Sequence, residues 1–143
     1  MTEDVMISMR GLQFDQSEID AENVETIVIG KYTFEEETNF HHIEYDEMLE
    51  GFDKPTHNIL RFGEWSLELT RSGLINVHMV FDKNHKNLTN YVTPFGAILI
   101  GIDTKKIHIT QESQEINVDV EYTLDINYEY LSNCRIAINI KSI

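Results

Sequence analysis

Six histidines and 25 aspartates and glutamates raise two chemistries at once, metal coordination and acid–base catalysis. His41 and His42 are adjacent, and on an extended strand neighbouring side chains point to opposite faces, so this pair cannot share one ion. His57, His78, His85 and His108 stand on separate segments, with no H-x-H or H-E-x-x-H spacing to set up a ligand pair. The spacing predicts histidines scattered over polar strand faces, no metal site and no cofactor. Glu44 and Asp46 share the wet face of one strand. No carboxylate is expected on an apolar face, where burial would raise its pKa toward that of a general acid. Glycine runs of the phosphate-loop and dinucleotide kind are absent, as is a G-x-S-x-G elbow around any serine. With no nucleophile, base and orienting partner to name, no residue receives a catalytic role, and the chain is not expected to be an enzyme.

Arg71 carries a sharper signal. It is in phase with Trp65, Leu67 and Leu69, which puts its stem on a core face. A buried guanidinium costs several kcal/mol unless it is paired and hydrogen-bonded. Two readings follow: Arg71 reaches the rim of the fold or meets a structural carboxylate, or it is an interior anchor that grips a carboxylate or phosphate through two parallel hydrogen bonds. Tyr45, Tyr91 and Tyr122 can add hydroxyls to such a site. Tyr45 shares a face with Ile43, and Tyr122 with Val120 and Leu124, so both are expected to point inward; Leu88 and Val92 have the opposite parity to Tyr91 and leave its face open. The single cysteine, Cys134, has no partner for an internal disulfide and is in phase with Ile136, Ile138 and Ile140, as a small buried hydrophobe would be.

The elements that must position these residues read as strands throughout. Ile75, Val77, Met79 and Phe81 alternate with Asn76, His78 and Val80, and the polar run 82–86 is a hairpin loop. Pro94 ends the next strand and Gly96 turns the chain back. Ala97 to Ile102 is apolar on both parities, the pattern of a strand covered on both faces. Near the start, Val5, Ile7 and Met9 share a face, and the phase slips to Leu12 and Phe14 after Gly11, as at a β-bulge. Gly30 interrupts the stretch from Val24 to Glu35 and predicts a corner. Phe40 to Glu47 puts His41, Ile43, Tyr45 and Glu47 on one side; residues 48–54 hold at most a helical turn before Thr56 to Phe62. Trp65 to Arg71 puts its apolar residues on one face, and Ile107 and Ile109 alternate with Lys106, His108 and Thr110. In the clearest strand, Ile116, Val118, Val120, Tyr122, Leu124 and Ile126 alternate with polar residues without a break. No window has a sustained 3.6-residue period. About ten such segments with short polar turns predict an all-β fold, and the corner glycine, the bulge and the local turns favour an antiparallel up-and-down barrel over a sandwich.

At 143 residues the chain is expected to form one domain, residues 1–143. A net charge of −14 argues against nucleic acid and anionic membrane surfaces as partners, because both select basic patches. The acidic N-terminal residues 1–8 lack the apolar core of a signal peptide, which predicts a cytoplasmic protein.

One run of residues adds a resemblance. Arg71-x-Gly73-x-Ile75-Asn76-x-x-Met79-x-Phe81, then Tyr91-x-Thr93-Pro94-Phe95-Gly96 and Thr104, with Tyr122-x-Leu124 further on, resembles the YwiB family over nearly the whole chain. That bacterial family has no known function and a calycin-like β-barrel fold, related in shape to lipocalins and fatty-acid-binding proteins. The resemblance implies this architecture and no catalytic residues. The early G-x-W run of secreted lipocalins is missing here. By analogy of fold, the expected function is non-catalytic binding of a small, partly apolar and in the sharpest form anionic ligand at one barrel mouth, with Arg71, Tyr45, Tyr91 and Tyr122 as candidate contacts. The alternative is a protein-interaction or self-association module, a homodimer included, whose barrel is filled with side chains.

Overall fold

The computed structural model describes residues 1–11, 25–48 and 51–143. These form ten strands: β1 (Asp4–Arg10), β2 (Glu25–Glu35), β3 (Phe40–Glu47), β4 (Thr56–Phe62), β5 (Ser66–Gly73), β6 (Val77–Asp82), β7 (Lys86–Thr93), β8 (Gly96–Gln111), β9 (Glu115–Ile126) and β10 (Glu129–Ser142). No helix occurs among the described residues. All neighbours are antiparallel and run β6-β5-β4-β3-β2-β1-β10-β9-β8-β7, so every strand pairs with its neighbours in sequence except across β6 and β7, and β1 joins β10. The remaining edges, β6 and β7, meet at one bridge, where Asn76 and Val92 exchange backbone hydrogen bonds of 2.9 and 3.0 Å. The result is a nearly closed up-and-down barrel, the architecture the period-2 patterns predict.

Alternation decides what fills it. Val5, Ile7 and Met9 of β1, Ile116, Val118 and Val120 of β9, and Ile136, Ile138 and Ile140 of β10 all point inward and are buried. Phe62, Phe81, Met79 and Tyr122 complete the body of the core, with Phe81 and Tyr122 edge to face at 5.1 Å. Gly30 marks a handover: Lys31 is the last β2 residue on β1 and the first on β3. A Cβ at Gly30 would stand 2.8 Å from the Glu44 carbonyl oxygen, so no side chain fits between the two strands there.

Several expectations need correction. Trp65 is not on the core face: it precedes β5, is 60% exposed, and lies under the Lys83 ammonium at 5.0 Å. The extrapolated alternation fails because the strand starts only at Ser66. The stretch Ala97 to Ile102 is not covered on both faces. Ile100 and Ile102 are buried, Ala97 is exposed, and on the outside Leu88, Lys86 and Asp125 merely lean over Gly101. β8 runs on through the polar residues 103–106 with a bulge between Thr104 and Lys106. The Thr104 backbone is held there from the 82–86 turn, by Asn84 at 3.0 Å and His85 at 3.3 Å. β1 stops at Arg10, and the predicted Leu12–Phe14 continuation lies outside the described residues. So does part of the 48–54 turn.

Candidate functional site

At one end of the barrel the chain turns after β3, β5, β7 and β9, and there the inner face changes character. Arg71 is near the end of β5, in register with Asn58 on β4 and Val77 on β6. It is 9% exposed, inside the mouth rather than outside it. Its Nη1 donates to the Tyr91 hydroxyl at 3.4 Å, across the β6–β7 seam, and its Nη2 stands 3.9 Å from Glu47 Oε1. The latter is an ion pair beyond hydrogen-bond length. The Nε–H is buried and has no partner among the described residues. Tyr45, two residues before Glu47 on the same face of β3, donates its hydroxyl to the Met9 sulfur at 3.6 Å. Burial, with a smaller contribution from the Glu47 charge, pushes its pKa far up, and the charge and hydrogen bonding of the neighbouring Arg71 offset only part of that, so the phenol stays protonated.

Asn58 and Thr56 complete the cluster, both fully buried. The Asn58 amide donates to Glu47 Oε1 at 3.2 Å and to the Thr56 carbonyl at 3.3 Å. That leaves Asn58 Oδ1 without a donor, and the Thr56 hydroxyl is likewise unpaired. Among the described residues, three of the five buried side-chain groups without partners therefore gather at this end. The mouth is held by Gly73, whose φ of +118° is glycine territory and whose Cβ would stand 2.4 Å from the Pro55 carbonyl oxygen. Asn76 clamps the same turn, accepting from the Gly73 N–H at 3.2 Å and donating to its carbonyl at 2.9 Å. Around the rim, Phe52 and Phe95 meet edge to face at 6.1 Å, Phe95 is 87% exposed, and Tyr128 and Tyr130 are exposed at the β9–β10 turn.

Of the four residues singled out in the sequence, the structure brings Arg71, Tyr45 and Tyr91 together. Tyr122 packs on Phe81 instead. Phe81 is four residues along β6 from Val77, the register partner of Arg71, a separation of about 13 Å at ordinary strand rise. The inward face of Tyr91 is now settled, since it is buried while Leu88 and Val92 are exposed. Glu47 corrects the expectation that no carboxylate sits on an apolar face. Its parity with Ile43 and Tyr45 was the available sign, as was that of Asn58 with Leu60 and Phe62.

The histidines divide. His41 is buried, contrary to the expected polar face: it is hydrogen-bonded to the Tyr32 hydroxyl at 2.7 Å and stacked on Phe62 at 4.8 Å. Burial lowers its pKa. His42 and His57 lie outside, joined through Glu44, and each also meets a second carboxylate, Glu35 or Asp46. Arg61 grips Glu35 at 2.9 and 3.0 Å and holds that carboxyl down at about 2. His78 approaches Glu68 at 3.8 Å. Among the described residues, no three His, Cys, Asp or Glu groups are arranged to hold a metal ion. Cys134 is half-buried against the core.

No curated protein matches the chain. Its fold is similar to the crystal structure of the YwiB protein from Bacillus subtilis, with a TM-score of 0.75 over 99% of this chain and 92% of that one, at 16% identity. The calycin-like architecture accords with that neighbour. A family model described as a domain of unknown function, DUF1934, matches residues 7–138, so the chain belongs to that family.

Proposed function

We propose that this barrel is a non-catalytic cytoplasmic binding protein that takes a small, partly apolar molecule with an acidic group at the Arg71 mouth. The observation that carries the reading is Arg71 itself: a buried guanidinium whose Nε–H has no partner among the described residues, and with Glu47 too distant for a hydrogen bond. A carboxylate would supply the missing acceptors in the fork geometry Arg prefers. The exposed aromatic rim offers apolar surface beside the charge. No described helix is long and apolar enough to cross a membrane, and a background of −14 disfavours nucleic acid.

Arg71→Met tests this. It keeps much of the stem and removes the charge. Glu47 remains hydrogen-bonded to Asn58 and stands beyond hydrogen-bond length from Arg71, so folding stability should fall by less than the cost of breaking a tight buried ion pair, about 3–5 kcal/mol. Binding of carboxylates found by a thermal-shift screen should fall by about 1.5–3 kcal/mol, the scale of hydrogen bonds to a charged group. A loss of about 3–5 kcal/mol in stability with no change in binding would make Arg71 a structural ion-pair partner.

A second reading, self-association, has its own observation. Met6 and Ile29 are cross-strand partners on the outside of β1 and β2, and both are exposed together with Ile27. Light scattering of wild type and Ile29→Asp tests it: a dimer that the substitution dissociates supports this reading, and a monomer in both removes it.

A further inference from the structure

Among the described residues, the mouth of the barrel leaves unpaired both a buried donor, Arg71 Nε, and a buried acceptor, Asn58 Oδ1. Nε and Nη2 form one edge of the Arg71 guanidinium. Tyr91 engages Nη1, on the other edge, and the Nε–H has no partner among the described residues. Directly across the β4–β5 pairing, Asn58 turns both amide hydrogens to acceptors and leaves Oδ1 without a donor. The amide orientation follows from its neighbours, since a flipped Asn58 would set its oxygen against the Glu47 carboxylate. Thr56, the next residue on the same face, adds an unpaired hydroxyl. Glu47 adds a negative charge, its side chain 16% exposed. Cross-strand neighbours of this kind stand about 5 Å apart, so the acceptors lie within one small molecule's reach of the Arg71 edge.

Resting on the binding function just given, we propose that the ligand is a zwitterion, a free 2-amino acid with an apolar side chain. Its carboxylate lies on the Nε–Nη2 edge of Arg71 and its ammonium lies between Glu47 and Asn58 Oδ1. A plain fatty acid brings acceptors only, leaves Asn58 Oδ1 buried without a donor, and sets a second carboxylate beside Glu47. A phosphate does the same with more negative charge. A zwitterion supplies one acceptor group and one donor group on adjacent carbons and leaves the balance between Arg71 and Glu47 unchanged. The side chain then points outward to Phe52 and Phe95.

Four probes that share one skeleton separate the possibilities: L-phenylalanine, 3-phenyllactate, 3-phenylpropionate and 2-phenylethylamine, titrated into the full chain by calorimetry. Phenylalanine should bind at least tenfold more tightly than the other three. Glu47→Gln keeps an acceptor for the Asn58 amide and removes the charge. It should erase that preference, weakening phenylalanine at least tenfold while leaving phenylpropionate unchanged or tighter. Arg71→Met should weaken both acids. If phenylpropionate binds wild type as well as phenylalanine does, the zwitterion inference is overturned and the acid-binding function stands. If a broad screen of acids and amino acids yields no binder, both are overturned and the polar cluster serves only the barrel's own structure. The wild-type ranking requires no variant, so a Glu47→Gln protein that fails to fold leaves the decision intact.

Discussion

Val118→Asp and Asp119→Val exchange one carboxyl between the two faces of β9, and the barrel predicts very different consequences. Val118 is 1% exposed and stands in register between Ile109 and Ile138. Losing its burial costs about 1.5–3 kcal/mol, and a neutral carboxyl with no partner costs about 1–3 kcal/mol more. Near pH 4 the sum is about 2.5–6 kcal/mol, a large share of the roughly 5–15 kcal/mol that holds a domain folded. The sign of the pH dependence follows. Burial raises the folded-state pKa of the introduced carboxyl above its unfolded value, so the folded protein binds more protons. The deficit must then grow by about 1.4 kcal/mol for each pH unit above about 4, up to the folded pKa. Asp119→Val loses hydrogen bonds from Arg135 at 2.9 and 2.6 Å, in a pair whose side chains are 59% and 38% exposed. Such pairs contribute about 0–1 kcal/mol, partly offset by the strand preference of valine. Urea melts at pH 4 and pH 7 measure both variants. Where Val118→Asp does not fold at pH 7, Val118→Thr supplies a milder version, at about 1–3 kcal/mol for a buried hydroxyl. Equal losses for the two exchanges, or a Val118→Asp deficit independent of pH, would refute the register of β9.

Three further predictions rest on particular contacts. The Glu35 carboxyl is lowered from 4.5 to about 2, chiefly by the Arg61 hydrogen bonds; its contribution is therefore complete above pH 4.5 and lost as pH falls toward 2, and Arg61→Met should flatten the acid-unfolding curve in that window, whereas an unchanged slope would contradict the pairing. Gly73→Ala forces a left-handed residue and a Cβ at 2.4 Å from the Pro55 oxygen, so chemical denaturation should show a loss of at least about 1–3 kcal/mol. The single tryptophan, Trp65, should be open to acrylamide with red-shifted emission, since it is 60% exposed; strong protection from the quencher would return it to the core.

Which face each side chain takes was written in the chain itself, because strand alternation is a property of neighbouring residues. Val118 and Asp119, Ile7 and Ser8, and the inward set Ile43, Tyr45 and Glu47 can all be assigned without knowing what pairs with what. The same parity placed Arg71 on the inner wall. It failed where the local conformation changes, at Trp65 just outside β5. What meets what was decided only by the closed sheet. Glu47 on β3, Asn58 and Thr56 on β4, and Tyr91 on β7 reach Arg71 because the registers of three strand pairs and the β6–β7 seam bring their ends to one mouth. Tyr122 has the same inward parity and ends up beside Phe81, away from that mouth. Parity gives a direction across the sheet. Height along the barrel is the sum of many pairings between residues distant in sequence, and no local pattern encodes that sum.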